Sequence, residues 1–320
     1  MTDILRQNLL SPIALSFALG ILASLMRSEF KLPKDIYTGI SVYLLFALGI
    51  KGGVELAHSS FSAIIGPALV TLLLGCITPL TTYAVMRHVG RFSEADSAGM
   101  AAHYGSVSAV TFIAAQSFVG AVGAPAEGFM PTLLTLLESP GIHIALAIGA
   151  VKTARQGQKL GEVLHEVLTA RTMILLVGGL IIGFLIGDKN YAAIKPFYED
   201  MFKGVLCIFL LEMGIVAGER LGDLRKVGPF LLGFGVLLPA VHGVLGAVLG
   251  HIAGLSPGGA TVLGAMAASA SYIAAPPAVR VTLPDANPTY YLTASLAITF
   301  PFNILVGIPV YYQVAKWLAG

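Results

Sequence analysis

The chain has 320 residues, 56% of them apolar and only 11% charged, with a formal net charge of +2 and a mean hydropathy of +0.83. A soluble domain carries roughly 25% charged residues, so this composition excludes one and indicates a polytopic membrane protein. The near-neutral balance leaves no electrostatic footprint for nucleic acid.

Arg6 precedes the first apolar run, but no small-residue cleavage site follows, so this run is expected to stay in the protein. Charge-poor runs mark ten spans near 8–26, 35–50, 61–86, 97–115, 129–151, 172–187, 200–217, 228–250, 258–278 and 289–315, each needing about 20 residues if helical. Val227–Val279 holds no Asp, Glu, Lys or Arg and is too long for one helix; "HIAGLSPGG" (251–259) offers the turn that divides it. Cys76 and Cys207 lie in apolar runs and are expected to pack in the core rather than form a disulfide framework. With the N-terminus outside, 13 Lys and Arg residues fall in inward loops and 6 on the outer side, which favours both termini outside the cytoplasm.

Two internal matches point to a repeat. "KDIYTGISVYLLFALGIKGGVEL" (34–56) aligns without gaps with "EDMFKGVLCIFLLEMGIVAGERL" (199–221), bringing Gly39, Gly49 and Gly53 onto Gly204, Gly214 and Gly218. "AGMAAHYGSVSA" (98–109) aligns with "GAMAASASYIAA" (264–275) at nearly the same offset. Two halves of five spans each require the second to be inserted upside down, the plan of many secondary transporters. The expected fold is therefore all-α, with repeats at 1–151 and 172–320 joined by a cytoplasmic linker at 152–171.

Spans 4 and 9 correspond under the repeat and are too polar for lipid. Gly105, Ser106 and Ser108 surround the expected break in span 4; Ser269, Ser271 and Tyr272, followed by Pro276-Pro277, mark the one in span 9. Half-helix N-termini suit a small anion, and freed carbonyls with serine hydroxyls suit a hard cation such as Na⁺. The alternative is that Ser, Gly and Ala only permit close helix packing.

"AAHYGSVSAVTF" and "SASYIAAPPAVR" closely resemble the two crossing-helix motifs of the sodium-dependent bicarbonate transporter family (SbtA-like permeases), and "ALGIKGGVEL", "LLESPGI" and "LEMGIVAG" also resemble family segments. The resemblance implies a gate domain from spans 1, 2, 6 and 7, a core domain from spans 3–5 and 8–10, a homotrimer in the bacterial cytoplasmic membrane, and an elevator-like movement. It implies Na⁺-coupled bicarbonate uptake, with Ser106, Ser108 and the backbone of Ala270–Ser271 holding the anion. Ser269 and span 5 are then the sodium candidates. The linker "KTARQGQKLGEVLHEVLTAR" is shorter than the resemblance leads one to expect, which puts capping by a PII-like regulatory protein in doubt.

Other residues stay open. His103 is either a coupling-ion site or a neutral histidine bonded across helices. Glu138, before Ser139-Pro140-Gly141, is either a sodium or proton site or a carboxylate binding backbone freed by Pro140. Glu212 favours a structural role. Gly179, Gly183 and Gly187 suit close helix packing, within the chain or between subunits. No G-x-x-x-x-G-K-[ST], G-x-S-x-G or H-E-x-x-H pattern occurs, so no enzyme, no transition-metal site and no cofactor beyond Na⁺ is expected. The alternatives are a Na⁺- or H⁺-coupled carrier of another small anion and, more remotely, a transport-dead sensor or an intramembrane hydrolase.

Overall fold

The computed structural model describes residues 6, 8–138, 140–152, 169 and 171–320. The expected linker at 152–171 lies almost wholly outside these, and so does Ser139. The elements are α1 (Pro12–Leu25), α2 (Lys34–Ala57), α3 (Phe61–Ala84), α4 (Glu94–Tyr104), α5 (Ala109–Ala121), α6 (Met130–Glu138), α7 (Pro140–Lys152), α8 (Arg171–Lys195), α9 (Phe202–Leu221), α10 (Leu224–Ile252), α11 (Pro257–Ala267), α12 (Ala275–Thr282) and the composite α13 (Pro288–Leu318). No strand occurs among the described residues.

Among the described residues, six helical stretches are long and apolar enough to cross a membrane: Lys34–Ala57, Phe61–Val89, Met130–Gly149, Ile174–Leu221, Leu224–Ile252 and Pro288–Leu318. The fourth of these contains two expected spans, interrupted where Gly187 takes φ 64°. The remaining expected spans are the 14-residue α1 and the two broken ones, α4–α5 and α11–α12. Gly254, at φ 88°, lies in the turn between α10 and α11, where "HIAGLSPGG" was expected to divide the charge-free run.

The bundle is apolar outside and partly polar inside. Leu15, Leu19 and Leu22 of α1, Leu69 and Leu73 of α3, and Leu237 and Val241 of α10 are exposed, whereas Thr71, Thr78, Ser97, His103 and Asn303 are buried. Buried hydroxyls turn back on their own helix: Thr71 donates to Pro67 O at 2.7 Å and Thr78 to Leu74 O at 2.9 Å. Such bonds satisfy the hydroxyl where lipid supplies no partner. Cys76 corrects an expectation: it is exposed and Cys207 half-buried, and both are free thiols. An apolar run in a membrane does not distinguish a core face from a lipid face, so apolarity alone could not place them.

Close packing of small residues organises one side of the molecule. α2 lies against α8 with Gly49 beside Gly179 and Gly53 beside Gly183; α9 lies against α1 with Gly214 beside Gly20 and Gly218 beside Ser24. A Cβ at Gly49 would stand 2.8 Å from Leu176 O, and one at Gly214 would strike Phe17 O. These glycines therefore join helices of one chain rather than of neighbouring subunits, and Gly187 serves the bend instead. Helices α3–α7 and α10–α13 pack together as the rest of the bundle. Glu212, buried on α9, accepts from Leu32 N at 3.0 Å and ties the chain entering α2 to α9, which is a structural role.

Gly214→Leu should destabilise the protein by about 1–3 kcal/mol or more through backbone overpacking, read as a lower thermal midpoint and a smaller folded fraction in detergent. Gly204→Ala, where no atom lies within 4 Å of the added Cβ, should be neutral or stabilising by up to about 1 kcal/mol. Equal effects at the two positions would contradict the packing account.

Candidate functional site

The two broken spans cross at their breaks. α4 begins at Ser93, whose side chain accepts from Asp96 N, and ends at Tyr104; α5 begins after Ser108, whose hydroxyl accepts from Thr111 N at 3.2 Å. α11 begins at Ser256, whose side chain accepts from Gly259 N, and ends at Ala267; α12 opens with Ala275-Pro276-Pro277. The prolines sit in the first turn of α12, where a missing N–H costs nothing, so they start the second half-helix rather than only stopping the first.

The breaks are hydrogen-bonded to each other. Ser108 N donates to Ser269 Oγ at 2.8 Å, and Ser271 N donates to His103 O at 2.7 Å. Ser269 Oγ passes its own proton to Met266 O at 2.8 Å. Ser271 Oγ accepts from Ala274 N and Ala275 N at 3.3 Å each, capping α12. The end of one half-helix thus adjoins the start of the other, and Gly105, Ser106, Ser108, Ser269, Ala270 and Ser271 come together. Ser106, Ser108, Ser269, Ala270 and Ser271 are buried. Tyr272 is half-buried; its hydroxyl has no hydrogen-bond partner, and its ring meets Phe300 edge-on at 5.7 Å.

A third span lies beside these. It carries α6 and α7, and the Ser106 hydroxyl donates to Glu138 O at 3.1 Å. A Cβ on Gly141 would strike Gly105 O, and one on Gly105 would stand 2.6 Å from Pro79 Cβ, so two glycine backbones are in contact here. Only residues without a side chain permit this approach. Glu138 is buried with Oε2 unpartnered. His103 Nδ1 bonds Gly99 O at 2.7 Å and its ring stacks on Tyr291 at 4.2 Å, while Nε2 has no partner. The histidine is therefore anchored on its own helix and on α13, not across to α11.

Two donors expected to be open are committed internally: the Ser106 hydroxyl to Glu138 O, and Ser271 N to His103 O. The hydroxyls of Ser108, Ser271 and Tyr272 remain free to donate, as do the N–H groups of Ala109 and Val110 at the start of α5, which have no intrahelical acceptor. Toward the end of the bundle that carries Lys51 and Lys203, a cavity of about 580 Å³ opens between α2, α5, the 125–128 loop and the start of α9. Ala47, Leu48 and Ile113 are among its apolar lining, Lys51 pairs with Glu199 at 2.9 Å, and Lys203, Asp200, Glu55 and Glu127 complete the charged lining. Sequence reasoning missed this vestibule because its charges belong to three separated segments. It also missed Asn303, the one asparagine in the apolar α13, although the argument that singles out His103 applies equally there.

Ser269→Ala should leave Ser108 N–H buried without an acceptor, at a cost of about 1–3 kcal/mol. Hydrogen exchange of the 105–110 backbone checks this: faster exchange and a lower thermal midpoint are expected, with recovery in Ser269→Thr. Unchanged exchange in Ser269→Ala would contradict the crossing bond.

No curated protein matches the chain. The Na⁺-dependent bicarbonate transporter superfamily matches residues 12–316, nearly the whole length, and the six apolar membrane-spanning stretches agree with an integral membrane protein. The chain belongs to the Na⁺-dependent bicarbonate transporter superfamily.

Proposed function

We propose that the protein is a secondary transporter that couples inward movement of Na⁺ to uptake of bicarbonate, bound as neighbouring ions where the two broken spans cross. The observation that carries this reading is the pair of cross-break bonds, Ser108 N to Ser269 Oγ and Ser271 N to His103 O. They bring two half-helix C-termini, of α4 and α11, to the same place as two N-termini, of α5 and α12. Each terminus carries a partial charge of roughly half a unit, negative at the carbonyl end and positive at the amide end. A site with both signs suits a cation and a monoanion together, without a lysine or arginine at either break.

The anion is held by the Ser108, Ser271 and Tyr272 hydroxyls and the first N–H groups of α5, with Gly105 and Ala270 giving the space for it. Ser106 shapes the loop through its bond to Glu138 O. The cation takes the carbonyl side: Ser269, Glu138 with its unpartnered Oε2, Ser139 and His103 are the candidates. The chemistry of this donor set, oxygen ligands with His103 the one nitrogen donor and no thiolate, suits Na⁺ better than a soft transition metal.

The wider architecture is part of the same proposal. Ten spans form two inverted five-helix repeats, supported by the matched contacts Gly49–Gly179 and Gly214–Gly20, which pair the corresponding helices of each half in exchanged roles. The glycine-zipped helices α1, α2, α8 and α9 form the gate domain, and α3–α7 with α10–α13 form the core that moves past it in an elevator-like step. The vestibule between them faces outward if both termini lie outside the cytoplasm. Homotrimeric assembly in the bacterial inner membrane belongs to this reading; a PII-like partner would dock on the cytoplasmic linker, if at all.

With one Na⁺ per monoanion the cycle is electroneutral and only the Na⁺ gradient drives it; a second Na⁺ would let the voltage add about 2.3 kcal/mol per 100 mV. Proteoliposomes should accumulate labelled bicarbonate under an inward Na⁺ gradient. Uptake indifferent to Na⁺ overturns the coupling, and stronger competition by another small anion favours the alternative substrate. Ser108→Ala should raise the apparent bicarbonate KM by about tenfold or more, the equivalent of a hydrogen bond of about 1.5–3 kcal/mol to a charged group. Ser106→Ala should be milder. An unchanged KM in Ser108→Ala would remove this hydroxyl from the site.

A further inference from the structure

The carbonyl groups at the end of α11 need partners, since a broken helix frees them inside the protein. Gly264 O takes Ala268 N, and Met266 O takes both Ser269 N and Ser269 Oγ. Ala268 O is reached from another span: Asn303 Nδ2 donates to it at 2.8 Å. The other end of the same amide is fixed too, because Tyr311 OH donates to Asn303 Oδ1 at 3.0 Å. Asn303 and Tyr311 are both fully buried.

The local backbone of α13 is built for this. Residues Ala294–Thr299 and Asn303–Gly307 form two π-helical turns within one apolar span. Each π turn adds a residue and rotates the face of the helix, and such turns concentrate at functional sites. The first carries Thr299, which donates to Gly235 O at 2.7 Å and so accepts from Tyr104 OH, at the end of α4, at 2.6 Å. The second carries Asn303. Gly307 lies beside the Asn303 amide, where a Cβ would stand 2.6 Å from Oδ1. A side chain there would push the amide away.

These contacts form one chain of bonds: Tyr311 to Asn303, Asn303 to Ala268, and the adjoining Ser269 to Ser108. We infer that Asn303 is a positioning residue for the transport site, holding the break of span 9 so that Ser269 in turn holds Ser108 toward the anion. It touches neither ion. The asparagine amide suits the task because it donates to a carbonyl and accepts from a phenol in one plane, which neither a hydroxyl nor a carboxylate does with the same geometry. This inference rests on the reading of the crossing breaks as the anion site, and the experiment separates the two.

The test uses the full chain in proteoliposomes, with Cys76→Ala and Cys207→Ala as background and Ala270→Cys as reporter for a membrane-permeant thiol reagent. Without the reporter, Asn303→Ala should raise the bicarbonate KM about tenfold while the maximal rate per folded protein stays within about twofold. With it, Asn303→Ala should label about fivefold faster, because the break opens more often. Tyr311→Phe should move both readings the same way by a smaller factor, and it carries the test if Asn303→Ala does not fold. Unchanged KM and labelling, or loss of folded protein with KM unchanged, overturns the inference. Labelling needs no substrate, so a parent protein without Na⁺-driven bicarbonate uptake overturns the transport reading, while the labelling rates still decide the role of Asn303.

Discussion

Backbone polar groups released inside a membrane must find partners within the protein, and the rest of this structure follows from how that is met. Two helices stop near the middle of the bundle, and lipid can satisfy neither their carbonyls nor their amides. The breaks meet this need by facing each other: Ser269 takes the amide of Ser108, and the carbonyl of His103 takes the amide of Ser271. Each break is stable only because the other is present. The same requirement draws in Asn303 on Ala268 O and Ser106 on Glu138 O from neighbouring spans. It also explains why the loop residues are small, since Gly105 and Gly141 must touch backbone to backbone.

The satisfied network leaves a small remainder, and the remainder is where chemistry is available. The hydroxyls of Ser108, Ser271 and Tyr272 keep a proton to donate, and Glu138 Oε2 and His103 Nε2 keep no partner at all. Buried unpaired polar groups are costly, so the occurrence of Glu138, His103 and Tyr272 beside one crossing is a stronger pointer to a site than any one of them alone. The vestibule shares α5 with this crossing, through Ile113, and it collects Lys51 from one segment and Glu199 and Lys203 from another far along the chain.

Much of this was legible in the sequence. The charge-poor runs marked where helices occur, and "HYGSVS" was too polar for a lipid-facing helix, which located the break to within a residue or two of Gly105–Ser108. The corresponding "SASYIAAPP" located the second. What was not legible has physical reasons. Apolar runs do not say which face meets lipid, so Cys76 was placed inside although it is exposed. The glycines at 179 and 183 announced a close helix contact but not its partner, which is α2 of the same chain. Serine spacing could not tell a hydroxyl left free to donate from one that ties down a loop, which is what separates Ser108 from Ser106. The π-helical turns that aim Thr299 and Asn303 leave no signature in residue order, because each adds a single residue to a helix that is apolar throughout.

The central claim is that one crossing holds an anion and a cation side by side, each favouring the other through helix termini of opposite sign. Equilibrium binding of labelled bicarbonate to detergent-solubilised protein, titrated at several Na⁺ concentrations, tests it most directly. The account predicts that Na⁺ tightens bicarbonate binding and that bicarbonate tightens Na⁺ binding by the same factor, as reciprocal linkage requires. Bicarbonate affinity that does not change with Na⁺, in a protein that binds both, would contradict it.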